Sequence, residues 1–80
     1  MQKTIMVTGA TSGIGKETAH ELAIRGAQII VADRNKDKAE ATTTWIREDT
    51  GNDRVDYLLA DFASLEDVRR LADQFTQRYD

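Results

Sequence analysis

The sequence predicts an α/β fold in which three strands alternate with three helices. Three short apolar runs end at or near a glycine or an aspartate, and residues with helical periodicity follow each run. Because helical crossovers join the runs, the strands must be parallel. Right-handed crossovers order them 3-2-1, with the first two helices on one face and the third on the other. The prediction is a βαβαβα unit with a three-stranded parallel sheet, the first half of a doubly wound fold.

The first strand and the first helix are predicted within residues 5–26. Ile5 to Val7 is a short apolar run that ends at Gly9. A helix is predicted from about Ile14 to Arg25, because apolar and polar positions repeat there at helical spacing. Gly26 stands where a helix C-terminal glycine is expected.

The second unit begins with Ile29 to Ala32, an apolar run typical of a strand buried on both faces. Asn35 can cap the helix that follows, and Gly51 ends it. The core stripe of this helix is expected to be Ala39, Thr43 and Ile46.

The third unit begins with a strand predicted from Val55 to Ala60. Its helix starts after Ser64, where Ser64 to Asp67 forms a capping-box pattern with aspartate in place of the preferred glutamate. The expected apolar side of this helix consists of Leu65, Val68, Leu71, Ala72, Phe75 and Tyr79.

The composition restricts the class of protein. The 80 residues suffice for one small domain, and 40% hydrophobic with 31% charged residues is a globular balance. A net charge of −3 disfavours nucleic acid as a partner. With no cysteine and one histidine, neither a disulfide nor a local zinc site is expected. The longest apolar stretch is too short to span a membrane, and we expect a cytoplasmic protein.

The segment from Thr8 to Gly15 indicates a phosphate-binding turn. It follows a strand, opens a helix and contains Gly9, Gly13 and Gly15. Glycine lets the backbone turn sharply and lets a ligand approach without a Cβ in the way. The unpaired N–H groups and the dipole of the new helix favour an anion there. A pyrophosphate meets both conditions, although an ordinary glycine-rich turn would also explain the glycines.

Acidic residues at two strand ends extend this interpretation. Asp33 follows the glycines at about the separation at which dinucleotide folds place an acid for the ribose hydroxyls. A turn or capping aspartate is the alternative. Arg34 either pairs with the 2′-phosphate of NADP, stacks on adenine, or lies solvated on the surface. Asp61 either accepts a hydrogen bond from the adenine amino group or belongs to a plain turn.

Two aromatic side chains outside the glycine loop and the strand ends are predicted to have structural roles. His20 is expected on a solvated helix face, and Trp45 is expected to pack partially at the back of the second helix.

The glycine spacing G-x-x-x-G-x-G from Thr8 to Gly15 resembles the signature of the short-chain dehydrogenase/reductase family. The segments Gly15 to Ala19, Glu21 to Ala23 and Arg25 to Ala27 are similar to the branch that contains retinol dehydrogenases. Asp61 to Leu65 resembles the D-L-A-S-L segment of the same branch. The resemblance extends over essentially the whole chain.

This resemblance implies a Rossmann-type domain that binds NAD or NADP and exchanges hydride with an alcohol or carbonyl substrate. Residues 1–80 are then expected to form a single, partial dinucleotide-binding domain. The family's cofactor contacts carry over by position to the pyrophosphate, the adenosine ribose and the adenine. The corresponding residues are Gly9, Ser12, Gly13, Ile14 and Gly15 for the pyrophosphate, Asp33 and Arg34 for the ribose, and Asp61 with the Phe62 backbone for adenine.

Two departures from the family pattern affect the expected function. Asp33 stands where the retinol-dehydrogenase branch commonly has a non-acidic residue, and its carboxylate would repel a 2′-phosphate, so NAD is expected over NADP. The sequence has no Tyr-x-x-x-Lys pair and no Asn-Asn-Ala-Gly segment, so we expect these 80 residues to lack the family's catalytic groups. Tyr57 and Tyr79 are accordingly expected to be packing residues.

Two functions remain open at this point: the cofactor-binding half of an oxidoreductase, or a stand-alone nucleotide-binding module without catalysis. In the family's sheet a fourth strand flanks the first, so Ile5 and Val7 are expected on an open edge. We therefore expect self-association through that edge or through the sheet face that lacks most of its helices. Neither a nucleic acid nor a membrane is expected as a partner.

Overall fold

Strands and helices alternate in the order that the sequence predicts. The computed structural model describes residues 3–79, and the side chains of residues 3–78. The predicted packing of Tyr79 therefore falls on a side chain outside the described residues. The elements are β1 (Thr4–Thr8), α1 (Gly13–Ile24), β2 (Gln28–Asp33), α2 (Lys36–Thr50), β3 (Val55–Leu59) and α3 (Leu65–Tyr79).

The sheet is parallel, with β2 between β1 and β3. In its register Val31 of β2 lies beside Val7 of β1 and beside Tyr57 of β3. The predicted order 3-2-1 is thereby confirmed. The side chains of β2 are buried on both faces, because it is the central strand and helices cover it from two sides.

The two faces of the sheet hold separate parts of the core. On one face, α1 and α2 pack on alternate residues of the strands through Ala19, Ala23, Ala39 and Ile46. On the other face, α3 packs Leu71 and Phe75 against Ile30, Ala32 and Leu58. The predicted placement of the three helices is correct, as right-handed crossovers require.

Caps begin and end the helices where the sequence predicts. The Asn35 side chain accepts a hydrogen bond from the Lys38 N–H at 3.0 Å, and so caps α2. Gly51 ends α2 in the left-handed conformation, with φ of 74°. Ser64 accepts from the Asp67 N–H at 3.2 Å, but Asp67 accepts from the Asp61 N–H instead of returning a bond to Ser64. The capping box is thus half formed, and its second half ties α3 to the end of β3.

The outer edge of β1 differs in detail from the prediction. The Gln28 N–H donates to the Lys3 carbonyl, so alternate residues of β1 from Lys3 onward turn their backbone groups toward β2. Ile5 and Val7 belong to that set. Thr4, Met6 and Thr8 turn their backbone groups toward the open edge instead.

The predicted apolar side of α3 is too wide. Leu71 and Phe75 pack against the sheet and Val68 is half-buried, but Leu65 is 66% exposed and Ala72 is exposed as well. Within the described residues, α3 is the single helix on its face of the sheet. A side chain at the flank of α3 therefore has no neighbouring helix to pack on.

The predicted solvated position of His20 is wrong. Its ring stacks on Trp45 of α2 with centroids 4.8 Å apart, and its Nε2 atom bonds to Asp49. Trp45 does pack partially, as predicted, with 38% of the residue exposed. The two rings join α1 to α2 outside the main core.

Candidate cofactor site

The loop from Thr8 to Gly15 connects β1 to α1, and its glycines serve different physical needs. Gly9 and Gly13 have φ of 68° and 57°, a region that residues with a Cβ rarely adopt. Gly15 has ordinary φ, but a Cβ there would lie 2.2 Å from the Gly9 carbonyl oxygen. Gly15 therefore lets α1 start in close contact with the turn, while the other two glycines shape the turn itself.

The first turn of α1 faces this loop and offers a site for an anion. The first N–H groups of a helix have no partner within the helix, and its dipole favours negative charge there. Among the described residues, the Ser12 side chain makes no capping hydrogen bond, and the first turn contains no acidic residue. Ile14 is 84% exposed beside these groups. The turn therefore satisfies the electrostatic requirement of a phosphate-binding helix terminus.

Asp33 ends β2 and holds the chain in a turn. One of its oxygens accepts from the Asn35 N–H at 3.1 Å. Partial burial alone would raise the pKa of Asp33. Hydrogen bonds from the Asn35 N–H, the Thr11 side chain and the Arg34 N–H outweigh that effect and hold the pKa below its ordinary value of 3.8. The carboxyl group is therefore ionised at neutral pH.

Asp61 plays a similar part after β3. Its Oδ1 atom accepts from the Ala63 N–H at 2.9 Å, and its own N–H donates to Asp67. The turn that follows leaves Phe62 exposed at the end of the sheet. Both acids thus have the turn role that was the alternative to ligand binding, and both also border a cleft.

This cleft has a volume of about 340 Å³ and lies at the carboxyl ends of the strands. In open parallel sheets this is the edge where ligands bind. It brings together five of the predicted site residues and two alanines, namely Gly9, Asp33, Arg34, Asp61, Phe62, Ala32 and Ala63. Ser12, Gly13, Ile14 and Gly15 do not line it but belong to the adjoining loop and helix turn.

Three residues near the site were not predicted from the sequence. Ala32 and Ala63 line the cleft, yet an alanine has no functional group that would mark it as a site residue. Thr11 hydrogen-bonds the Asp33 carboxylate through its side chain. Its hydroxyl within the glycine loop was the one signal that could have identified it.

A larger groove of about 730 Å³ lies between α2 and β3, but it contains none of the predicted site residues. Tyr57 lines it and donates its hydroxyl hydrogen to Glu40 at 3.0 Å. This hydrogen bond, with the charge of Glu40, raises the pKa of Tyr57. Tyr57 also packs against the core cluster on the α1 and α2 face of the sheet, as predicted for a packing residue.

A parallel βαβαβα sheet with a glycine loop and a cleft at its carboxyl edge defines the class of Rossmann-type domains. Residues 3–80 match the family model described as short chain dehydrogenase. The chain belongs to this short chain dehydrogenase family. Within the described part, no helix combines the length and the apolar character needed to cross a bilayer.

Relatives place the chain near one branch of the family. It is 50% identical over 70 residues to human retinol dehydrogenase 13, covering 88% of this chain and 21% of the relative. It is 47% identical over 73 residues to dehydrogenase/reductase SDR family member 13 of Bos taurus, covering 91% and 19%. The chain therefore spans about a fifth of the length of these curated relatives. The predicted resemblance to the retinol-dehydrogenase-like branch is confirmed.

Solved structures show the same fold. The alcohol dehydrogenase of the archaeon Thermococcus sibiricus, complexed with 5-hydroxy-NADP, superposes with a TM-score of 0.88 at 26% identity. The match covers 99% of this chain and 33% of that one. The predicted Rossmann-type architecture is thus found in a dehydrogenase that holds a dinucleotide.

Proposed function

We propose that this chain binds the adenosine diphosphate part of NAD, as the cofactor-binding portion of a dehydrogenase that exchanges hydride with an alcohol or carbonyl substrate. The observation that carries the proposal is the junction of two features. A glycine loop, in which Gly15 starts α1 against Gly9, adjoins a cleft bordered by Asp33 and Asp61. One feature suits a pyrophosphate and the other suits a nucleoside.

The proposed contacts follow the order of the site residues along the chain. Gly9, Gly13 and Gly15, with Ser12 and Ile14, meet the pyrophosphate. At the end of β2, Asp33 and Arg34 meet the ribose. At the end of β3, Asp61 and the Phe62 backbone meet adenine. The cleft supports the last two contacts because these four residues line it together.

NAD is preferred over NADP in this proposal because Asp33 is ionised. The hydrogen bonds that lower its pKa keep a negative charge at the place where a 2′-phosphate would lie. A phosphate carries a charge of about −1.5 to −2 at neutral pH. Arg34 is exposed next to Asp33 and attracts the same phosphate. In this proposal the effect of the Asp33 carboxylate outweighs that of Arg34, because the carboxylate also accepts hydrogen bonds from both ribose hydroxyls of NAD.

Substitution of Gly13 by valine tests the proposed site. Gly13 and Gly51 both have positive φ, and a Cβ at either position would meet open space. Valine should therefore strain the backbone similarly at both positions. We expect Gly13→Val to weaken NAD binding at least about tenfold, which is about 1.4 kcal/mol, because its side chain occupies the pyrophosphate position. Isothermal titration of the chain with NAD measures this.

Gly51→Val is the matched control, since Gly51 lies at the far end of α2 from the cleft. It should lose a similar amount of stability, measured by urea unfolding, and keep its affinity for NAD. Equal affinities in the two variants would show that the loop does not hold the pyrophosphate.

A further inference from the structure

Before Ala19, no described side chain of α1 is buried, and Gly15 packs closely against the Gly9 carbonyl. The buried side chains of α1 are the small Ala19 and Ala23, which lie in its second half. Among the described residues, Ser12 provides no side-chain cap at its start. The end of the helix that carries the proposed pyrophosphate contacts therefore needs support from outside the helix.

That support comes from α2. The Lys16 ammonium lies 4.6 Å from the centroid of the Trp45 ring, and the His20 ring stacks on Trp45 at 4.8 Å. His20 also bonds to Asp49. Lys16 and His20 are one turn apart on α1, as Trp45 and Asp49 are on α2. These contacts connect two successive turns of α1 to two successive turns of α2.

We propose that Trp45 is a positioning residue for cofactor binding. Through Lys16 it fixes the first turn of α1, whose N–H groups face the pyrophosphate. The Lys16 N–H donates to the Ser12 carbonyl at 3.3 Å, so the residue that contacts the ring also closes the first hydrogen bond of the helix. The inference deepens the proposed function and rests on it.

Helix α2 is suited to this part because it is firmly held. Its start is capped by Asn35, and Ile46 is fully buried in the same core cluster as Ala19 and Ala23. Trp45 is partly exposed, so replacing it removes little of the core. The contact can therefore be broken without unfolding the chain.

A direct role for Lys16 is the competing explanation. If Lys16 left Trp45 and bound the phosphate itself, removing the ring would free the lysine and would not weaken binding. If Trp45 positions the helix, removing either Trp45 or Lys16 weakens binding. Trp45→Leu separates the two explanations because it leaves the charge of Lys16 in place.

The experiment titrates the full chain with ADP and with adenosine. We expect Trp45→Leu and Lys16→Met each to weaken ADP binding about two- to fivefold, the size that a cation–π contact at an exposed site supports. Adenosine affinity should not change, because Asp33 and Asp61 lie elsewhere. Lys16→Arg should restore ADP binding, since arginine keeps the contact with the ring.

Lys3→Met is the matched control for the lost charge. Lys3 is exposed and lies at the end of β1 remote from the loop. It should leave the ADP affinity unchanged. The double variant Lys16→Met with Trp45→Leu should be no worse than Trp45→Leu alone, because that variant already removes the contact with Lys16.

A second measurement needs no ligand. In heteronuclear NMR spectra of the free chain, Trp45→Leu should shift the amide signals of Gly13 and Gly15 while α2 stays helical. Unchanged signals, or an ADP affinity equal to that of the unmodified chain, would overturn the positioning role. An equal loss of adenosine affinity would also overturn it. Absence of ADP binding by the unmodified chain would instead contradict the proposed function, and the amide signals would still decide the inference.

Discussion

At the scale of single residues, Asp33 has a structural and a proposed functional role at once. Its carboxylate holds the turn after β2 through the Asn35 N–H and also borders the cleft. The separation of Asp33 from the glycines predicted it as a site residue. The sequence left two alternatives for its role, a turn aspartate and a ribose ligand. The structure shows that the carboxylate has the geometry of a turn aspartate and also borders the cleft.

Asp33→Asn should change the choice between the two cofactors. The variant keeps a side-chain acceptor and loses the charge, so the repulsion of a 2′-phosphate disappears. We expect the ratio of NADP to NAD affinity to rise on the order of tenfold, as for one or two charges about 4 Å apart in water. Titration with both cofactors measures the ratio. Asp37→Asn, at an exposed acid in the first turn of α2, is the control for charge alone.

The lowered pKa of Asp33 also determines the direction in which its contribution to folding stability changes with pH. Its ionised form stabilises the fold, and this contribution is present above the ordinary value of 3.8 and is lost as the pH falls through the lower folded value. Asp33→Asn should therefore be less stable than the unmodified chain at neutral pH. The difference should shrink below pH 3.8. Thermal unfolding followed by circular dichroism at several pH values would contradict this if the difference grew in acid.

At the scale of the elements, the cap of α2 offers a clean measurement. Asn35→Ala removes the acceptor of the Lys38 N–H and should cost about 1 kcal/mol of stability. Asn35→Ser keeps an acceptor and should retain most of it. Urea unfolding of the three proteins gives the free energies of unfolding. Equal values for the alanine and serine variants would mean that the cap contributes nothing.

Periodicity, caps and glycines predicted the elements because each depends on neighbours in the sequence. Asn35 and Gly51 could be assigned from residue type and position alone. The failures depend on contacts between distant segments. The sequence places His20 in the middle of α1, yet its ring meets Trp45 on another helix. Leu65 fits the apolar spacing of α3, but its exposure depends on what lies beside that helix.

The candidate site was predictable to a similar extent. The glycines and acids could be named because a strand, a turn and a helix follow one another along the chain. The sequence could not show that Gly15 packs against the Gly9 carbonyl, because that contact depends on how α1 leaves the turn. Nor could it show that Ala32 and Ala63 line the cleft.

At the scale of the whole molecule, the two edges of the sheet differ. On β3, the outward N–H of Tyr57 donates to the Asp56 side chain at 2.8 Å, and Arg78 bonds to the same carboxylate. A partner strand would have to displace these bonds. On β1, among the described residues, no side chain forms a comparable hydrogen bond to an outward backbone group, and Met6 turns its backbone groups outward. An exposed edge of this kind invites pairing with another chain.

We therefore predict self-association of the chain through β1. Sedimentation equilibrium over a range of concentrations should show oligomers. Thr4→Pro removes an N–H that points out of the sheet and leaves the bonds to β2, so it should reduce association. A monomer at the highest concentration, or equal association of the variant, would contradict pairing at this edge.

The burial of β2 has a consequence for how the molecule opens. Ile29, Ile30 and Val31 are 0% exposed, and strands flank them on both sides. Amide hydrogens in such a strand exchange with solvent only when the entire chain unfolds. A ligand that binds the folded form alone lowers the unfolded fraction by a factor of one plus the ratio of free ligand concentration to Kd, and exchange through global unfolding slows by the same factor. The rate of hydrogen exchange at the β2 amides therefore reports whether the cleft at the end of β2 holds a ligand.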